Sequence, residues 1–135
     1  MRLIAIVTAA LLASGVGTTA DVAPPPLAVV ARALVGTWES SEDTRFSREF
    51  RADNTVTDSY EGDPDNSQSG NWLLFAGAAP PPEFAGRKSL VASAYYLEIR
   101  ENGDTLLFGL THVDRAALQM VSLDRGNTLT FTRLR

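Results

Sequence analysis

Asn102-Gly103, set between two runs that alternate apolar and polar residues, constrains this chain more than any other feature. Both residues tolerate positive φ, which a two-residue hairpin turn requires if its twist is to match that of the flanking strands. The turn pairs Glu101 with Asp104 and so sets Ile99 opposite Leu106, Leu97 opposite Phe108 and Tyr95 opposite Leu110. Side chains alternate along a strand with a period of two, so these apolar residues share one face, and a slip of one residue would turn them all to solvent.

The same pattern continues in both directions. Ala52-Asp53-Asn54 suits a three-residue loop with Asn54 left-handed, and it pairs Phe50 with Val56, Arg48 with Asp58 and Phe46 with Tyr60. Val113-Asp114-Arg115 is expected to join strands that pair Leu110 with Leu118 and Phe108 with Met120. Asp124 to Asn127 then turns into a last strand in which Leu129 and Phe131 alternate with threonines. Strands are expected over residues 35–40, 45–51, 55–60, 69–75, 93–100, 105–112, 117–122 and 128–133, with no apolar stripe of helical period. The chain is therefore read as all-β. An antiparallel meander of about eight strands with one apolar face is most simply closed into a small barrel, a two-sheet sandwich being the alternative. Segment 76–89, with Pro80-Pro81-Pro82 and Gly86, is expected to form a lid over one barrel mouth or a mobile flap.

Residues 1–20 read as a signal peptide: Arg2 supplies a short positive start, Leu3 to Val16 is almost wholly apolar, and Thr18-Thr19-Ala20 offers small residues for cleavage. The apolar run is short for a span of about 30 Å of hydrocarbon, so no stable membrane anchor is expected after cleavage. Residues 21–33, with Pro24-Pro25-Pro26, are read as an extended proline-containing spacer, and residues 34–135 as the barrel domain. The expected location is periplasmic or extracellular. Past residue 20 the chain holds 11 Lys and Arg against 16 Asp and Glu, a net charge of −5, which argues against nucleic acid as a partner. Cysteine is absent, so thiolate catalysis and cysteine-ligated metal are excluded and the core must hold the fold without disulfides.

Gly36-Thr37-Trp38 on the first strand, with Arg133 on the last, resembles the lipocalin arrangement, in which a basic residue late in the chain packs across the indole of an opening Gly-x-Trp. Residues 46–72 and 124–133 are similar to small lipocalin-like proteins exported by bacteria. The resemblance implies structural roles for Gly36, Trp38 and Arg133 and a non-catalytic barrel that binds a small apolar or amphipathic ligand. A narrow barrel filled by its own side chains is equally compatible with this length.

Arg48 opposite Asp58, among Phe46, Phe50, Val56 and Tyr60, is the sharpest polar constellation. It is either a polar anchor for a ligand carboxylate or hydroxyl, with Asp58 orienting Arg48, or a structural ion pair near the barrel rim. On the carrier reading Phe50, Tyr60, Trp72, Tyr95 and Phe108 form the wall. On the alternative, the protein is an interaction or inhibitor module of the cell envelope, contacting a protein partner through loop 61–65 and segment 76–89. His112, the single histidine, is expected at the end of an inward face, and without further ligands it makes no zinc site. No Gly-x-Ser-x-Gly elbow accompanies any serine, and Glu61, Asp63 and Asp65 lack the remaining ligands of a calcium loop. No enzyme, cofactor or metal is therefore expected.

Overall fold

A computed structural model describes residues 25–84 and 94–135. The expected signal peptide lies outside the described residues. Among the described residues eight antiparallel strands follow one short α-helix: α1 Leu27–Leu34, β1 Gly36–Ser40, β2 Phe46–Phe50, β3 Thr55–Tyr60, β4 Gln68–Ala76, β5 Tyr95–Glu101, β6 Asp104–Val113, β7 Ala117–Ser122 and β8 Thr128–Arg133. Each strand pairs with the next, and β8 returns to β1 to close the barrel. The sheet therefore has no free edge, which removes the usual route to strand-to-strand aggregation.

The hairpin registers follow the turn chemistry. Asn102 has φ 52° and Gly103 φ 82°, and the pairs Ile99–Leu106, Leu97–Phe108 and Tyr95–Leu110 form as the two-residue turn requires. Asn54 is left-handed at φ 68°, with Phe50 facing Val56, Arg48 facing Asp58 and Phe46 facing Tyr60. The β6–β7 pair departs from expectation. Leu110 faces Met120 and Phe108 faces Ser122, while His112 faces Gln119, so Thr111 is an extra residue on β6. This bulge is held by the Thr111 hydroxyl, which lies 3.1 Å from both the Gln119 backbone oxygen and its side-chain oxygen. Val113 instead of His112 then takes the inward position, opposite the fully buried Leu118.

The reading of 21–33 as an extended spacer is corrected over its second half. Val30 and Leu34, four residues apart on one helical face, are 3 % and 0 % exposed and join the barrel core with Trp38, Phe50, Trp72 and Phe131. Pro26 precedes the helix at φ −58°, a geometry that proline adopts without strain at a helix start. The helix end is tied down by tertiary contacts: the Leu34 carbonyl accepts from Trp38 Nε1 at 2.9 Å, and Arg133 donates to the carbonyls of Ala33 at 2.5 Å and Val35 at 3.0 Å. At this lower end of the barrel the Tyr95 hydroxyl also donates to the Pro25 carbonyl.

Segment 76–89 covers neither barrel mouth in its described part. A single 3-10 turn, Pro82–Phe84, lies on the outer face of the sheet, where Phe84 stacks on Phe75 with ring centroids 5.8 Å apart. Tyr96 and Leu107 complete this second buried cluster. The outer face is thus not polar throughout, because an apolar patch on it is covered by the chain's own loop. Residues 85–93 lie outside the described residues.

Candidate functional site

Side chains occupy the barrel interior across its axis. Arg48 on β2 and Phe108 on β6 stand four strands apart in an eight-stranded barrel, yet the guanidinium carbon lies 5.7 Å from the Phe108 ring centroid. It also lies 5.4 Å from the ring of Phe46 and 5.9 Å from that of Phe131. Cations held over aromatic faces are attracted by the ring quadrupole, which partly replaces lost hydration.

Asp58 completes the arrangement. Arg48 Nε donates to Oδ1 at 2.6 Å and Nη2 to Oδ2 at 2.8 Å, a parallel fork with both residues buried. Glu101, at the inward end of β5, hydrogen-bonds to Asp58, and its carboxyl pKa is pushed up to about 8. Burial is the main cause; the hydrogen bond and the charge of Asp58 add to it, and Arg48 opposes it. Near neutral pH the Glu101 carboxyl therefore stays largely protonated. Arg48 Nη1 and Glu101 Oε2 are buried without a hydrogen-bond partner among the described residues.

The seven residues read as a ligand wall and anchor are spread along the length of the barrel. Arg48, Asp58 and Tyr60 stand in the upper half, where Tyr60 packs on Phe46 at 5.5 Å. Phe50 and Trp72 meet edge to face at 5.6 Å toward the lower end, Trp72 Nε1 donates to the Arg51 carbonyl at 3.0 Å, and Tyr95 reaches Pro25. Phe108 lies between the two groups as one wall of the Arg48 enclosure. Gly36, Trp38 and Arg133 do act together: the Arg133 guanidinium carbon sits 4.2 Å from the Trp38 ring, and a Cβ on Gly36 would overlap the Arg133 side chain. Burial lowers the Arg133 pKa, and the charge of Asp114 opposes that shift.

His112 is half-buried on the face of Gln119, with Nε2 3.0 Å from Asp114 Oδ2. It is not at the end of the inward face, because the Thr111 bulge turns it out. Burial raises the Asp114 pKa, but the Ala116 and Ala117 backbone N–H groups and His112 outweigh that and bring it below the ordinary value. Glu61, Asp63 and Asp65 are exposed, and no cluster of three His, Asp or Glu suited to a metal occurs among the described residues.

Cavities flank the helix instead. A groove of about 310 Å³ runs between α1 and β4, walled by Leu27, Ala31, Val35, Trp72, Leu73 and Leu74 and bordered by Arg32 and Asn54. Leu27 and Leu73, 40 % and 42 % exposed, are two of the three large apolar residues that the fold leaves in solvent among the described residues. A second cavity of about 400 Å³ lies between α1 and the β6–β7 turn, lined by Val29, Arg32, Val35, Asp114, Arg115 and Arg133. Sequence reasoning missed Glu101 and the helix, although both had a signal: Glu101 continues the inward series Tyr95, Leu97, Ile99, and Val30 and Leu34 have helical spacing.

Compared with family models, curated proteins and solved structures, the chain finds no match in any of them. Fold and site alone define its class: a closed eight-stranded antiparallel barrel with a helix across its lower end. Among the described residues no helix is long and apolar enough to cross a membrane.

Proposed function

We propose that this chain is a non-catalytic binding protein of lipocalin-like type, exported from the cell, that takes a small apolar or amphipathic ligand beside its capping helix instead of inside its barrel. The observation that carries this reading is the groove between α1 and β4, about 310 Å³ in volume and edged by the exposed Leu27 and Leu73. Ligand sites are concave, mostly apolar and about 300–1,000 Å³ in size. The interior argues for an external site: Asp58 engages two prongs of Arg48, and Phe46, Phe108 and Phe131 take up the space around it. The leader-like residues 1–20 support export, and a single histidine without a nucleophile elbow supports a non-catalytic role.

Native mass spectrometry of the purified protein with twelve-carbon amphiphiles tests the reading. One bound molecule per chain is expected, lost on Leu73→Glu, a change at an exposed position that leaves the fold intact. Absence of stoichiometric binding, or binding indifferent to Leu73→Glu, rejects it.

The filled interior also favours a second reading, a protein-interaction module acting through its upper loops. On that reading, reversing the charges of Glu61, Asp63 and Asp65 abolishes capture of an envelope partner, and unchanged recovery counts against it.

A further inference from the structure

We infer that the ligand carries a single negative charge, and that Arg32 with Arg115 recognises it where the apolar groove and the second cavity share a wall. This inference rests on the groove reading above and adds the chemical class of the ligand. Arg32 and Val35 line both cavities, the apolar one toward β4 and the cationic one toward the β6–β7 turn. A chain seated along Leu27, Ala31 and Leu74 therefore ends beside a guanidinium.

Charge complementarity sets the sign of the head group. Three arginines, Arg32, Arg115 and Arg133, line the second cavity against one carboxylate, in a chain whose net charge is −4. That carboxylate is already engaged. Asp114 Oδ1 accepts from the Ala116 and Ala117 N–H groups at 2.8 and 2.9 Å, and Oδ2 contacts His112 at 3.0 Å. Arg133 is spent on backbone carbonyls and on the Trp38 ring. Arg32 and Arg115 are exposed, and among the described residues neither side chain makes a hydrogen bond or ion pair.

Arg32 stands in the last turn of α1, where a cation complements the helix dipole. That role needs no partner in the cavity and gives no reason for Arg115 to stand on the opposite wall. A carboxylate head satisfies both guanidinium groups through charge-assisted hydrogen bonds, while the apolar chain covers Leu27 and Leu73. The structure thus pairs an apolar slot with an adjacent cationic one, which fits a free amphipathic monoanion.

Titration calorimetry with dodecanoate, dodecanol and dodecylammonium decides the matter, using the wild-type protein, an Arg32→Gln/Arg115→Gln variant and Arg125→Gln as a control at the far end of the barrel. Dodecanoate is expected to bind one to one. Charge-assisted bonds of this kind make its affinity about tenfold or more lower in the double variant and unchanged in the control. Dodecanol is expected to bind more weakly and identically to all three proteins, and dodecylammonium weakest of all. If dodecanol equals dodecanoate and the double variant changes neither, the anionic class is wrong while the groove stands. If nothing binds, the groove reading itself fails. Binding to phosphatidylglycerol vesicles without binding to free dodecanoate, or a dimer that excludes it, replaces the soluble ligand with a membrane surface or a second copy and overturns the inference.

Discussion

Arg48 and Asp58 face each other across the β2–β3 hairpin and lock in a two-pronged ion pair, 2.6 Å and 2.8 Å long, inside the upper half of the barrel. The pair is enclosed by rings from β2, β6 and β8, so its members meet residues from the far wall as well as each other. A buried pair of this kind contributes little beyond an apolar replacement, but breaking it strands a charge. Arg48→Met is therefore expected to destabilise the fold by about 3–5 kcal/mol, and Arg48→Met with Asp58→Leu to recover most of that loss. Urea unfolding of Arg48→Met, Asp58→Leu and the double variant measures it; equal losses in all three would show that the pair is not the cause.

Glu101 gives the fold a pH dependence of definite sign. Its carboxyl titrates near 4.5 when free and near 8 in the folded chain. Between those values the folded chain keeps a proton that the unfolded chain has released, so rising pH favours unfolding. The contribution is whole below about pH 4.5 and is lost as pH rises through about 8. The urea midpoint is expected to fall from pH 5 to about pH 8 in the wild type and to level off above it, and Glu101→Gln, which copies the neutral carboxyl, is expected to flatten that slope. A wild-type midpoint that rises over this interval refutes the assignment.

Gly36 and Arg133 act as one unit at the lower end. Gly36 has φ 144°, and an added methyl group there would meet the Arg133 guanidinium and the Arg135 carbonyl. Gly36→Ala is expected to cost about 2 kcal/mol or more through backbone strain and displacement of Arg133. Arg133→Lys keeps the charge but loses the planar fork that spans the carbonyls of Ala33, Val35 and Arg115. Hydrogen exchange is expected to show the amides of α1 opening more readily in Arg133→Lys, with the β5–β6 hairpin unchanged.

Leu34, wholly buried, anchors α1 in the core. Leu34→Ala is expected to destabilise by about 2–5 kcal/mol, as large-to-small core changes do. A change below about 0.5 kcal/mol in thermal or urea unfolding, the range of ordinary surface substitutions, would mean that the helix is a dispensable appendage.

Much of the barrel was legible because its information is local. Asn102-Gly103 and Ala52-Asp53-Asn54 specify turn geometry within a few residues, and period-two alternation carries the register outward from each turn. The β6–β7 register escaped for a physical reason. The Thr111 bulge depends on a contact with Gln119 and on Asp114 holding the next turn, and neither shows in the apolar pattern. The helix escaped because its eight residues have weak independent stability, and helices of that length are held by what they pack on.

Alternation and turn chemistry by themselves determined the strands, most of their partners and the pairing of Arg48 with Asp58. The three-dimensional fold decided whether the interior is open, because that depends on side chains from strands that never neighbour each other in sequence or in the sheet, as Arg48 and Phe108 do not. It also moved the candidate site. Leu27 and Arg32 on α1 lie far along the chain from Leu73 and from Arg115, and the four frame adjoining cavities only after α1 has folded across the end of a closed barrel.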